Sequence, residues 1–364
     1  MFGGRAWKIA SIGGIPVRVD SSWVWIAVFV VYSLVVQYTN GLGLDQSKAL
    51  PLALFTAALF FGSILLHELS HAFVARLRNV EVSSITLYFF GGATATNLDK
   101  RPGDQFLISA AGPAMSLAIG AVFWFTSRVT QGSLPSISFG YVGWINLVLA
   151  VFNVLPGYPL DGGQMLRAAV WKVTGKELIA TKVAAVSGFV IGALLVGIGV
   201  IGLTRGDLTG GIWLGFIGYF LIQNARGATR RATVRAALVG ATAEQAMGPP
   251  PAAVPAAMAL SDVLERYLRG HEQEAFPVVE GSRPIGLLTF ESASRVGQHD
   301  PLRPARDAVV PLDQVATVAP ETPLDEVIRR LGPTGAALVL RDGELVGAIT
   351  AGDIERWATA NKVR

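Results

Sequence analysis

Two histidines and a glutamate stand in LLHELSHAF (65–73), one of the most apolar stretches of the 364-residue chain. An ionisable trio in such surroundings is costly unless each group is paired or bound. The pattern is His-Glu-x-x-His. On a helix, positions i and i+4 share a face, so His67 and His71 can aim at one metal with Glu68 beside them. A second carboxylate, Asp161, lies in NVLPGYPLDGGQ (153–164), where proline and glycine break an apolar helix at its end. Two histidines and one carboxylate make three protein ligands and leave a fourth tetrahedral position for water, the catalytic rather than the structural arrangement. Zinc lowers the pKa of such a water to about 7. Glu68, next to a ligand without being one, then takes the proton as general base and returns it to a leaving amine. A helix cap or turn is the plainer role for Asp161. The chain has no cysteine, so a zinc site here must rest on histidine and carboxylate.

The elements that must hold these residues are apolar. Hydrophobic residues make up 51% of the chain and charged ones 15%, against about 25% in ordinary soluble domains. The excess falls in the first 225 positions, and the last 120 or so have a soluble composition. About six spanning segments are expected, near 22–38, 50–74, 105–127, 139–156, 180–203 and 210–225. The third and fourth are interrupted, by AAGPAMS and NVLPG, and such breaks are tolerated at membrane depth where they line an enclosed cavity.

Lysine and arginine orient the spans. Arg5, Lys8, Arg18, Arg76, Arg78, Lys100, Arg101, Arg167, Lys172, Lys176, Lys182, Arg226, Arg230, Arg231 and Arg235 fall on one side, and Lys48, Arg128 and Arg205 on the other. Both termini are therefore expected in the cytoplasm of a multi-pass protein of the cell membrane. The start, MFGGRAWKIASIGG, lacks an apolar stretch with a small-residue cleavage site, so no removable signal peptide is expected. A net charge of +4 gives no ground for a nucleic-acid partner, and the basic run 226–235 reads as a topology anchor and linker. Between spans two and three, VEVSSITLYFFGGATATNL (80–98) reads as a β-hairpin around Gly91-Gly92. Its edge could receive a substrate segment by β-augmentation, or it could be a simple interfacial hairpin.

HELSH in a transmembrane helix followed by NVLPGYPLDGG at a later one resembles the site-2 proteases, the intramembrane zinc metalloproteases. The resemblance covers nearly the whole chain. It implies zinc on His67, His71 and Asp161, a catalytic Glu68, and an Asn153 that positions substrate or stabilises the oxyanion. It also implies that the Gly91-Gly92 hairpin is a membrane-associated β element. The ninety positions from His71 to Asp161 are used up by spans and hairpin, so the chain resembles the compact branch without a PDZ insert. One departure is Asp20 in VRVDSSW, where relatives often have histidine.

After the connector MGPPPAAVPAAMA (247–259), FPVVEGSRPIGLLTFES (276–292) matches ALVLRDGELVGAITAGD (337–353) at a constant offset of 61. Each copy reads as strand, turn, strand and helix start, preceded by an amphipathic helix, ALSDVLERYL (259–268) or TPLDEVIRRL (322–331). The two units, near 244–300 and 301–360, resemble a tandem pair of CBS domains, a tail that several site-2 proteases carry. That resemblance implies an adenine-nucleotide site with Thr350 near a phosphate and Asp353 on a ribose. The first copy has Ser292 at the aspartate position, so at most one such site is well formed. Nucleotide sensing and a structural or homodimerising pair are both open. His271 and His299 read as solvated surface residues.

The expected architecture is thus a polytopic helical membrane domain (1–225) with a β-hairpin, a basic linker (226–243) and an α/β tandem CBS pair (244–364). The expected activity is zinc-dependent endoproteolysis in or near the transmembrane segment of a single-span membrane protein, such as a membrane-tethered transcription regulator or a signal-peptide remnant. Two other readings stand beside it. A CBS-regulated transporter or channel should show repeats among its spans, and none is found. A pseudoprotease would bind membrane segments without cutting them, although every ligand and the base are present.

Overall fold

The computed structural model describes residues 6–88, 91–96 (as backbone), 101–248, 252–270, 275–281, 283–331 and 335–361. Arg5, Lys100, His271, positions 89–90 and 97–98 of the expected hairpin and connector positions 249–251 lie outside them. The chain divides into two compact units, Met1–Thr229 and Arg230–Arg364.

The first unit opens with strands β1 (Ala6–Ile12) and β2 (Ile15–Asp20), then helices α1 (Ser22–Val36) and α2 (Gln46–Leu77). Strands β3 (Val82–Tyr88) and β4 (Gly91–Thr96) follow. Helices α3 (Pro102–Val129), α4 (Leu134–Val154), α5 (Asp161–Thr174), α6 (Glu177–Thr204) and α7 (Leu208–Leu238) come after them. Among the described residues, five helices are long and apolar enough to cross a membrane: α1 with its π-helical extension to Gly41, α2, α3, α4 and α6. The sixth expected span, 210–225, forms the first part of α7 and is not one of the five, since Gly210, Gly211, Gly215, Gly218, Gln223 and Asn224 dilute its apolar residues. The basic run is likewise helical to Leu238, because alanine and arginine are good helix formers. The expected break at Gly112-Pro113 does not occur, and α3 runs through it. The break after Asn153 does occur, with α4 ending at Val154.

At 1.5 Å per residue the 32-residue α2 is about 48 Å long. It is tied to its neighbours by buried hydroxyls: Thr56 Oγ1 lies 2.9 Å from Tyr38 Oη and 2.7 Å from Ser138 Oγ on α4. One level further along, Asn146 Nδ2 on α4 donates to Ser63 Oγ at 3.0 Å. Such bonds hold helices together where lipid offers no hydrophobic drive.

The four strands form one sheet in the order β1-β2-β3-β4, with β2 and β3 parallel and the outer pairs antiparallel. In β2, Ile15, Val17 and Val19 are buried in the alternation expected of a strand with one covered face, while in β3 Ile85, Thr86 and Leu87 are all buried. Ile15 and Ile85 cluster with Ala72, and Leu69 and Val82 pack against them. The sheet therefore sits on the very turns of α2 that carry the histidines. In β4, Gly91 pairs with Tyr88 and Gly92 with Leu87, and β4 is the last strand of the sheet. Asp20 ends β2 and is buried. The Ser22 hydroxyl and backbone N–H hold its carboxyl below the ordinary aspartate range, the N–H at 2.9 Å.

The second unit begins within α7, at Arg230, and continues with α8 (Ala243–Ala246), β5 (Val254–Pro255) and α9 (Leu260–Val263), the last extended by a π-helical turn to Leu268. Next come β6 (Ala275–Glu280), β7 (Arg283–Thr289), α10 (Phe290–Gly297), β8 (Val310–Pro311), β9 (Ala316–Val318) and α11 (Leu324–Arg330). The unit closes with β10 (Ala336–Arg341), β11 (Glu344–Thr350) and α12 (Ala351–Ala360). The sheets run β5-β6-β7-β8 and β11-β10-β9. The repeat extends to its irregularities: the β6–β7 ladder shifts register at Val278/Val279 and the β10–β11 ladder at Val339/Leu340, again 61 positions apart.

Candidate metal centre

Residues 67, 68 and 71 lie near the C-terminal end of α2, and Glu68 and His71 are buried. The helix puts the two imidazoles on one face, with Nε2 atoms 3.2 Å apart. Asp161 reaches them from α5, with Oδ2 3.2 Å from His67 Nε2 and Oδ1 3.5 Å from His71 Nε2. Donors about 2.0–2.1 Å from a tetrahedral zinc stand about 3.3 Å from one another. The two Nε2 atoms and the Asp161 carboxylate, which meets each imidazole through a different oxygen, thus stand at spacings close to those of zinc ligands, and the donor set fits that metal.

The far side of each ring explains its orientation. His71 Nδ1 donates to the Ile108 carbonyl at 2.7 Å, a bond that requires the proton on Nδ1 and leaves the Nε2 lone pair free for a metal. His67 Nδ1 is 2.9 Å from Ser116 Oγ. Both supports come from α3. Between them, at the same spacing of four, lies Gly112, where a Cβ would stand 2.5 Å from His67 Nε2 and closer still to His71 Nε2. The glycine leaves room for the donor cluster. The expectation that AAGPAMS is a break lining a cavity gives way to continuous helix facing the histidines, and the particular pairings of Ile108, Gly112 and Ser116 with them were not legible.

Asp161 is placed by backbone crowding. After α4 ends, Tyr158 N donates to Ala184 O on α6 at 3.0 Å, and Leu160 N to Gly157 O at 2.9 Å. Side chains are absent where this turn is tightest: a Cβ on Gly157 would meet Gly188 Cα at 2.8 Å, and one on Gly162 would meet Leu155 O at 2.5 Å. Gly163 and Gly188 are similarly blocked by the backbone of Gly157 and Tyr158. The cap position of α5 belongs to Leu160, and the Asp161 carboxylate turns to the imidazoles instead of capping. On the outer side of α5, Arg167 donates to Thr181 Oγ1 at 2.9 Å and pairs with Glu177, fastening α5 to α6.

The structure therefore brings His67, Glu68, His71 and Asp161 together. Asn153 is partly buried in the last turn of α4, eight residues ahead of Asp161, and Gly91 and Gly92 lie on β4. Thr350 and Asp353 belong to the second unit, where they exchange hydrogen bonds at the start of α12. Asp353 Oδ2 accepts from Thr350 N at 2.9 Å and from its hydroxyl at 2.7 Å, and Thr350 Oγ1 accepts from Asp353 N at 3.2 Å. Thr289 and Ser292 make the same box at α10. His299 is exposed.

A zinc-ready histidine–carboxylate centre among membrane-length helices defines a membrane metallopeptidase. The chain belongs to peptidase family M50, the site-2 type zinc metalloproteases, which it matches over residues 55–135 and 133–198; a CBS domain matches twice, over 243–296 and 305–359. It is 36% identical over 310 residues to "Putative zinc metalloprotease Rip3" of Mycobacterium tuberculosis strain H37Rv, covering 82% of this chain and 79% of that one. A relative of the same designation, sll0528 of Synechocystis, is 32% identical over 357 residues, covering 95% and 94%. The solved site-2 protease of Methanocaldococcus jannaschii is 26% identical, with a TM-score of 0.46 over 62% of this chain and 95% of that one. The family membership does not favour the transporter reading.

Proposed function

We propose that the protein is an intramembrane zinc endopeptidase that hydrolyses a peptide bond in or near the transmembrane segment of a single-span membrane protein. The observation that carries this reading is the cluster of His67 and His71 Nε2 atoms, 3.2 Å apart, with one Asp161 oxygen 3.2 Å from the first and the other oxygen 3.5 Å from the second. Zinc on those three residues supplies Lewis acidity, bringing the ionisation of water close to neutral pH and polarising a carbonyl. Glu68, one residue past His67 and about 100° round the helix, accepts the proton of the attacking water as its oxygen bonds to the carbonyl carbon. It then delivers that proton to the amide nitrogen as the C–N bond breaks. Ile108 and Ser116 hold the rings in place throughout. Asn153 offers its side-chain N–H to the oxyanion.

A helical substrate hides its carbonyls in its own hydrogen bonds. Pairing an unwound segment with β4 beside Gly91 and Gly92 exposes them, because a terminal strand has unpaired backbone groups to offer. The distribution of lysine and arginine supports cytoplasmic termini. The CBS pair then acts on the cytoplasmic side as a structural or dimerising module. The mutual engagement of Thr350 and Asp353 supports that role over adenine-nucleotide binding, and titration of the full chain with AMP and ATP tests it.

The deciding experiment compares wild type with Glu68→Gln in detergent with zinc, on a helix-destabilised transmembrane substrate, with bound zinc measured in both. Cleavage by wild type, with zinc kept and activity lost in the variant, is the expected result. Equal cleavage by both refutes the role of Glu68, and absence of zinc from both refutes the centre.

A further inference from the structure

We infer that Gln105 and Gln164 form a latch that positions Asp161 relative to the histidine pair; the inference rests on the zinc-centre reading above. Gln105 lies in the second turn of α3 and is 2% exposed. Its Nε2 donates to Gln164 Oε1 on α5 at 2.8 Å. Among the described residues this is the one side-chain hydrogen bond between α3 and α5.

Its location gives it leverage. Three residues beyond Gln105 is Ile108, whose carbonyl holds His71, and three residues before Gln164 is Asp161. The amide pair thus joins the turn of α3 that supports one donor to the turn of α5 that carries another. The neighbouring residue, Asp104, is buried and takes Arg78 Nε at 2.6 Å; Arg78 caps the C-terminal end of α2, about two turns past His71. Consecutive residues of α3 therefore grip the two helices that supply the donors, Asp104 holding α2 and Gln105 holding α5.

A packing role alone does not account for Gln105. Its Oε1 is buried without a hydrogen-bond partner among the described residues, and leaving such an acceptor unsatisfied costs about 1–3 kcal/mol. Leucine would fill similar space without that cost. What leucine lacks is a directional bond that fixes the α3–α5 spacing. The centre needs this, because zinc–ligand distances tolerate only about ±0.2 Å. Gln105 and Gln164 are positioning residues and touch no reacting atom.

The test uses the full chain in detergent, with zinc affinity from chelator competition and the visible spectrum of the cobalt-substituted protein. Gln105→Leu and Gln164→Leu should each weaken zinc binding about tenfold to a hundredfold and shift the cobalt bands. The double leucine variant should be no weaker than the weaker single one, since both changes break one bond. Gln164→Glu keeps an acceptor for Gln105 Nε2 and should bind zinc as wild type does. Wild-type affinity and spectrum in both leucine variants, or losses that multiply in the double variant, would overturn the latch. If Gln105→Leu does not fold, the Gln164→Leu and Gln164→Glu pair decides alone. A wild type that binds no zinc overturns the centre and the latch together, a result distinct from variants that match a zinc-loaded wild type.

Discussion

Gly112 allows a sharp test of how the centre is built, because one methyl group there meets both imidazoles. The Cβ of alanine would lie 2.5 Å from His67 Nε2 and from His71 Cε1, whereas ordinary contacts are about 3.5 Å. Helices α2 and α3 must then separate by about 1 Å. Gly112 stands midway between Ile108 and Ser116, so the same retreat stretches both ring supports. The bonds of 2.7 and 2.9 Å would lengthen to roughly 3.7 and 3.9 Å, beyond hydrogen-bond range. Each lost support of a ligand costs about 10–100-fold in metal affinity, so Gly112→Ala should lose about 10²–10⁴-fold in zinc affinity. Cleavage should fall by at least about 100-fold, the usual consequence of a 1 Å misplacement. Chelator competition and the transmembrane-substrate assay read the two effects. Gly140→Ala is the control: its Cβ would meet Ser127 at an ordinary 3.7 Å, so zinc and cleavage should hold and the helix should gain up to about 1 kcal/mol. A Gly112→Ala protein with wild-type zinc affinity and cleavage would refute the packing argument.

Other perturbations follow from the same geometry. Among the described residues, Arg78→Leu leaves the buried Asp104 only the exposed Arg101 at 4.0 Å as a cationic partner, and should cost about 1–3 kcal/mol, read as a lower thermal midpoint in detergent; an unchanged midpoint would contradict this. Gly286→Ala drives a Cβ into the Val310 carbonyl and to 2.5 Å from Val309 Cγ1, so β7 and β8 should part at a cost of about 1–3 kcal/mol. Hydrogen exchange should then rise at Leu287 and Val310, and protection equal to wild type would count against the close approach. Asp353→Ser copies the first repeat and should preserve the cap of α12, losing about 0.5–1 kcal/mol with the Arg356 pair and the Thr350 hydroxyl bond. Loss of all amide protection in the first turn of α12 would show that Ser292 and Asp353 are not structural equivalents.

Local rules account for what the sequence disclosed. The spacing of His67 and His71 is enough to place them on one face, because a helix has a fixed period. The repeat with its offset of 61 announced β6–β7–α10 and β10–β11–α12, each a contiguous run with its turn in the middle. The parallel β2–β3 pair was not legible, since β2 and β3 are separated by α1 and α2 and nothing in IPVRVD names its partner. Strands β5 and β9 are two and three residues long, too short to show an alternation. Ile108 contributes to the centre through its carbonyl, which any residue would supply, so no side-chain pattern marks it. Gln105 and Gln164 lie 59 positions apart, and only packing joins them.

The glycines around the centre also have a genetic consequence. Gly112, Gly157, Gly162, Gly163 and Gly188 each abut backbone or a donor ring with no room for a Cβ. Every glycine codon becomes an alanine codon by one base change. A protein of this design therefore presents a target for inactivating mutation larger than its four chemical residues. A loss-of-function allele can leave His67, Glu68, His71 and Asp161 all intact, so a survey that reads only the HELSH and LDGG signatures would count a disabled copy as active.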